Sequence, residues 1–196
     1  MTASEFSKLA GRLMRHPAAP FHEHAVRREV EDICGEHGLP FKRDKYGNVI
    51  VRLRTAPKVQ PFVLAAHMDH PGFEIVRPLS AKSWLARCLG GVTDEYVRPG
   101  VPLRLMPGGI AAKLGRRPGK AKEFELHTKQ PVNGSVEFAV WELEDFAVRN
   151  GRIHGRGCDD LIGVASILAT LIELKRSRAR VNVIGVITRA EEIGFL

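Results

Sequence analysis

The chain has only three cysteines, Cys34, Cys88 and Cys158, too far apart for a disulfide framework or for the paired spacing of a zinc knuckle. So few thiols fit a reducing, cytoplasmic location. No apolar run approaches the ~18–20 residues that a membrane span requires. The first residues, MTASEFSKLAGRLMRH, mix charges with apolar side chains at helical spacing, which a signal peptide does not do. No internal repeat and no low-complexity segment is present. Aromatic residues are missing from the one concentrated basic stretch, KLGRRPGKAK at 113–122, so base stacking on nucleic acid has nothing to work with there.

What is present is ordinary for a globular protein: 44% hydrophobic and 27% charged residues. A length of 196 residues allows one core, or one core with a small appended domain. The formal net charge of +8 is spread evenly, +3 over 1–77, +3 over 78–150 and +2 over 151–196. An even spread argues against a nucleic-acid surface, and the basic stretch reads first as a solvated loop.

Helical periodicity covers 5–16 and 22–37, the second placing Ala25, Val26, Val30, Ile33 and Cys34 on one face. KYGN at 45–48 is a turn signal between that helix and two strands, VIVRLR and PFVLAAH. From about 78 to 150 short β-prone runs (PLRLM, EFELHT, SVEFAV, DFAVR) alternate with Gly and Pro turns, the texture of a small barrel or sandwich. Then DDLIGVASILATLIELKR, 159–176, predicts an apolar helix with basic residues where the helix dipole favours them. VNVIGVIT, 181–188, predicts a buried strand. The expected fold is α/β, with a mostly parallel central sheet and helices on both faces. Residues 1–77 and 151–196 form the α/β part, and 78–150 an inserted β-barrel.

Three polar pairs fall where strands end or helices begin: His67 with Asp69, Asp159 with Asp160, and Glu191 with Glu192. Sites in open α/β sheets form at the carboxyl ends of strands. A histidine with several carboxylates and no thiolate suits Zn, Co or Mn. Each pair has a plainer use. The Asp pair can cap its helix, the Glu pair can be a solvent-facing turn, and a single His among apolar residues is often a core residue. The three in this order make the stronger signal.

The stretches HMDHPGFEI, GRGCDDLIG and TRAEEIGF, with DKYGNVIV upstream, resemble the cytosolic di-metal aminopeptidases of the tetrahedral or glutamyl aminopeptidase family, formerly named endoglucanases. The resemblance covers essentially the whole chain, including a β insertion between the first and second motifs. It implies a peptidase fold shared with zinc carboxypeptidases and amidohydrolases. It also implies two divalent metal ions, zinc or cobalt first, peptide substrates, and assembly through the inserted barrel into homo-oligomers. Residue by residue, it makes His67 a terminal metal ligand and Asp69 the group that orients its imidazole. It makes Asp159 the bridging ligand, Glu192 a terminal ligand of the second metal and Glu191 the general base. The peptide after the bridging aspartate is expected to be cis.

His70 stands where the family has Glu; it is either an extra ligand or, as favoured here, a supporting group near the ligands, as is Asp160. The family pattern runs on past the double glutamate to another Asp ligand and a late His. This chain is therefore expected to be an N-terminal portion, carrying three of five protein ligands. Alone it should bind metal weakly, cleave no peptide, and leave strand 181–188 without a neighbour on one side. A clan-related amidohydrolase or dipeptidase is the enzymatic alternative, and a non-catalytic basic binding module the alternative of another class.

Overall fold

Thr2 opens the first helix with a capping box: its hydroxyl accepts from Glu5 N at 3.2 Å, and the Glu5 carboxylate accepts from Thr2 N at 2.6 Å. The helix, α1 (Ala3–Met14), buries Leu9, Ala10, Leu13 and Met14. In α2 (His24–Glu36), Val26, Val30, Ile33 and Cys34 form the buried face, as the periodicity predicts. The computed structural model describes residues 1–119 and 122–194. Lys120 and Ala121 of the basic stretch, and Phe195 at the end of the third motif, lie outside the described residues.

Strands β1 (Phe41–Arg43), β2 (Val49–Arg54) and β3 (Phe62–His67) follow. The KYGN turn is held from just before it, where Asp44 Oδ1 accepts from Tyr46 N and Asn48 N. Six strands then close a barrel: β4 (Gly72–Ser80), β5 (Ser83–Leu89), β6 (Pro102–Met106), β7 (Ile110–Leu114), β8 (Glu123–His127) and β9 (Phe138–Trp141), in the order β4-β5-β8-β7-β6-β9. Alternation points Leu103 and Leu105 of β6, and Phe124 and Leu126 of β8, into its core. Three of the described cations of the basic stretch are used by the barrel: Arg116 pairs with Glu125 at 2.9 Å, Arg117 lies over the Phe124 ring, and Lys122 donates to Gly90 O.

A short hairpin, β10 (Ala147–Arg149) with β11 (Arg152–His154), leads to α3 (Cys158–Arg176) and β12 (Asn182–Thr188). Among the described residues no helix is long and apolar enough to cross a membrane.

The central sheet corrects the expectation. Its order is β1-β2-β12-β3, and only the β12–β3 pairing is parallel; β1–β2 and β2–β12 are antiparallel. The sheet is mixed, not mostly parallel. An apolar, β-branched run reports burial and is silent on strand direction, which is why the sequence misleads here. Nor does β12 lie at an edge. It slots between β2 and β3, and the edge strand on that side is β3, with Phe62 64% and Val63 54% exposed.

All three helices share one hydrophobic cluster with Val49, Val51, Leu53, Val183 and Ile187, the residues of one sheet face. On the other face Arg52, Arg54, Val63 and Ala65 are exposed. Among the described residues, helices cover that one face and not both.

Candidate metal centre

Parallel pairing brings the carboxyl ends of β3 and β12 together. His67 pairs with Thr188, and Met68 N donates to Thr188 O at 2.9 Å. The chain leaves β3 through Met68-Asp69-His70 and leaves β12 through Arg189-Ala190 into a single 3-10 turn, Glu191–Ile193. The start of α3 faces both. Asp159 (φ −98°, ψ 108°) and Asp160 (φ −127°, ψ 27°) are not helical, and the peptide between them is cis. Both carboxylates turn toward His67 instead of continuing the helix.

His67 is the hub. Its Nε2 lies 3.1 Å from Asp159 Oδ1 and 3.8 Å from Glu191 Oε2. Its Nδ1–H donates to the Asp69 carbonyl at 2.9 Å, with the Asp69 carboxylate 3.6 Å away. Its backbone N–H donates to Asp160 Oδ2 at 3.3 Å. One donor atom each from His67, Asp159 and Asp160 falls within 4.8 Å of the others. The Asp159 side chain is 88% exposed, so the cluster is open to solvent on its side.

The charges act as one system. Burial opposes the imidazolium of His67, but the Asp69 contacts, with help from Asp160, outweigh it and push the ring up to about 9. Asp69 is fully buried; burial opposes its charge too, and His67 with the N–H groups of Glu191 and Glu192 holds it below the usual carboxylate range. Glu192 goes the other way. Burial raises it, Asp69, Glu191 and Asp159 add to the rise, and His67 opposes. A cluster that holds a proton on His67 against burial attracts positive charge. Its donor set, an imidazole with oxygen ligands, fits a divalent cation of the zinc class.

The residues read from the sequence take distinct places. Asp69 does more than face His67: its carboxylate oxygens accept from Glu191 N at 3.1 Å and Glu192 N at 3.2 Å, fixing the Glu-Glu turn. His70 is buried, with Nε2 accepting from Ala18 N and Nδ1–H donating to Pro71 O. Burial pulls it down to about 4, so it is a neutral ring whose nitrogens both serve the backbone. Glu192 adjoins the cluster as a charge but stands outside its closest three-residue group.

Three residues escaped the sequence reading. Glu23, fully buried, accepts from Arg189 Nε at 2.7 Å and Ala190 N at 3.1 Å, and Arg189 Nη1 donates to Tyr46 O. Together they fix the turn leading to Glu191. The only available signal was opposite charge, an acid just before α2 and a base just before the Glu pair. A third is Gly163, where any Cβ would collide with the Asp160 carboxylate.

An α/β layer with a charged cluster at the carboxyl ends of two parallel strands, and a closed barrel inserted just after the first of them, defines the class. Residues 134–196 match the family model described as M42 glutamyl aminopeptidase. The fold agrees. A TET aminopeptidase from a marine-sediment Thaumarchaeota archaeon superposes with a TM-score of 0.83 at 19% identity, over 98% of this chain and 60% of that one. An aminopeptidase of Desulfurococcus kamchatkensis gives 0.80 at 21%, over 97% and 57%. The TET1 peptidase of Pyrococcus horikoshii, which can assemble into a tetrahedron or a large octahedral shell, gives 0.78 at 21%, over 96% and 62%. These identities carry the fold alone. The chain spans about three fifths of the structures it matches.

Proposed function

We propose that this chain carries the first part of a di-metal aminopeptidase active site that removes N-terminal residues from peptides in the cytoplasm. The observation that supports it best is the convergence of His67, Asp159, Asp160 and Glu191 around one imidazole, on three separate elements. His67, Asp159 and Glu192 would hold the metals, zinc or cobalt, as the family resemblance assigns them. Bound there, two cations would lower the pKa of a shared water and polarise the scissile carbonyl.

The chain's own residues supply the rest. Glu191 would accept the proton from the attacking water and pass it to the leaving amine, acting first as base and then as acid. Asp69 orients it from behind, through its backbone N–H, while also steadying the His67 ring. His70 would support the site by tying the segment at Ala18 to the turn after β3, leaving no ring nitrogen for a metal. The barrel would contribute to a homo-oligomer, as the family resemblance implies.

The test is hydrolysis of aminoacyl-p-nitroanilides with added Co(II) by a longer protein that joins this chain to the rest of the active site, beside Glu191→Gln in the same protein. Loss of cleavage by at least ~100-fold with cobalt still bound is the expected result for a general base. Cleavage that survives Glu191→Gln would refute the assigned role.

A further inference from the structure

A second imidazole–carboxylate cluster shares no residue with the site above. His22 and His24 flank Glu23 at the entrance to α2, and Glu137 stands immediately before β9 on the barrel. One ligand atom from each falls within 4.8 Å of the others. His24 and Glu137 are exposed, and His22 is half-buried.

His22 has no explanation as a core residue. Its ring stacks on Phe138, centroids 4.7 Å apart, yet both ring nitrogens are buried without a hydrogen-bond partner among the described residues. Buried polar atoms are almost always satisfied, because leaving them unpaired forfeits the bonds that water gave them. An apolar side chain would stack on Phe138 without that cost. Burial and neighbouring His24 pull the ring below its ordinary value, with Glu74, Glu137 and Glu23 opposing. His22 thus presents ring nitrogens with no partner among the described residues, and a neutral imidazole is the form that ligates metal.

We propose that His22, His24 and Glu137 form a separate site for one zinc-class divalent cation, with a fourth position left to water. Two imidazoles and one carboxylate select a borderline transition metal over calcium or magnesium. The ion would bridge the α/β part and the barrel, since the histidines come from one and the carboxylate from the other. Occupancy would also reach the Glu191–Glu192 turn, because Glu23 between the two histidines is the residue that holds Arg189 and Ala190.

The experiment is zinc titration against a chromophoric chelator, using protein in which Asp159→Asn and Glu192→Gln disable the other cluster. About one zinc per chain should remain, and adding His24→Gln or Glu137→Gln should weaken it by at least ~100-fold, more than loss of a supporting group would. Co(II) in the same background should show the absorption bands of a low-coordinate site, absent with His24→Gln. Both tested side chains are exposed, so the fold should persist, and circular dichroism checks it. No zinc bound in the disabled background, or zinc indifferent to both added substitutions, overturns the site. The reading of the His67 cluster stands or falls separately, on the Glu191→Gln assay.

Discussion

Asp69 is fully buried and spends its carboxylate on backbone N–H groups of a distant segment, those of Glu191 and Glu192. An amide in its place keeps one acceptor oxygen and turns an NH2 toward the other donor. Asp69→Asn is therefore expected to loosen the Glu-Glu turn and lower metal affinity by ~10–100-fold, the usual cost of losing a group that supports ligands. Cobalt titration followed by absorbance measures it. Unchanged affinity would mean that Glu23 and Arg189 hold the turn unaided. At this scale the sequence was legible where chemistry is written in residue types: His67, Asp159 and Glu191 lie close together, whereas Glu192, expected as the third metal ligand, stands outside the closest group. Glu23 and Arg189 did not stand out, because they pair with each other 166 residues apart in sequence, and no local pattern encodes such a contact.

Gly185 sets the distance between β12 and α3. A Cβ there would lie 2.7 Å from Ile167 Cγ2 and 3.2 Å from Leu171 Cδ1. Overpacking of this kind costs ~1–3 kcal/mol, so Gly185→Val should lower the unfolding free energy by that amount, read as a lower urea midpoint at unchanged slope, and disturb the α3 start that carries Asp159. A second element-level contact predicts pH dependence. Arg12 on α1 clasps Glu29 and Glu36 on α2 at 2.6 Å each, and holds the exposed Glu36 carboxyl below its ordinary 4.5. A carboxyl depressed in the folded state adds stability above its unfolded value and loses it as pH falls through the folded one. Arg12→Gln should thus flatten the acid limb of the stability curve below about 4.5, by a small margin given the exposure. Both helices, α3 and β12 were legible from periodicity. Strand direction was not, and β4, β5 and β7 were missed, as were the short β1 and β11. The first is interrupted by Pro78 and exposed along its second half, so it carries no apolar alternation to read.

How the barrel is fastened to the α/β part is a property of the whole molecule, and no run of residues announces it. Arg156, its side chain 2% exposed, lies between the hairpin and α3. It pairs with Asp145 at 2.6 Å and donates to Trp141 O and Leu143 O, where the chain leaves β9. Asp145 also meets Arg104 of β6 at 3.3 Å, so the network reaches across the barrel wall. Breaking a buried pair by removing one member costs ~3–5 kcal/mol, because the remaining polar groups stay buried without compensation. Asp145 is 30% exposed and can recover some hydration, which puts Arg156→Ala near the lower end, about 3 kcal/mol. Asp145→Asn should cost less, since Arg156 keeps its two carbonyl acceptors. Urea unfolding followed separately by tryptophan fluorescence and by far-ultraviolet circular dichroism gives the comparison. Both tryptophans, Trp84 and Trp141, sit in barrel strands, so the fluorescence midpoint reports that half of the molecule. If Arg156 is the fastening, its removal should bring the fluorescence midpoint below the circular dichroism midpoint. Midpoints that fall together would instead mean that apolar packing at the junction, and not this network, couples the two halves.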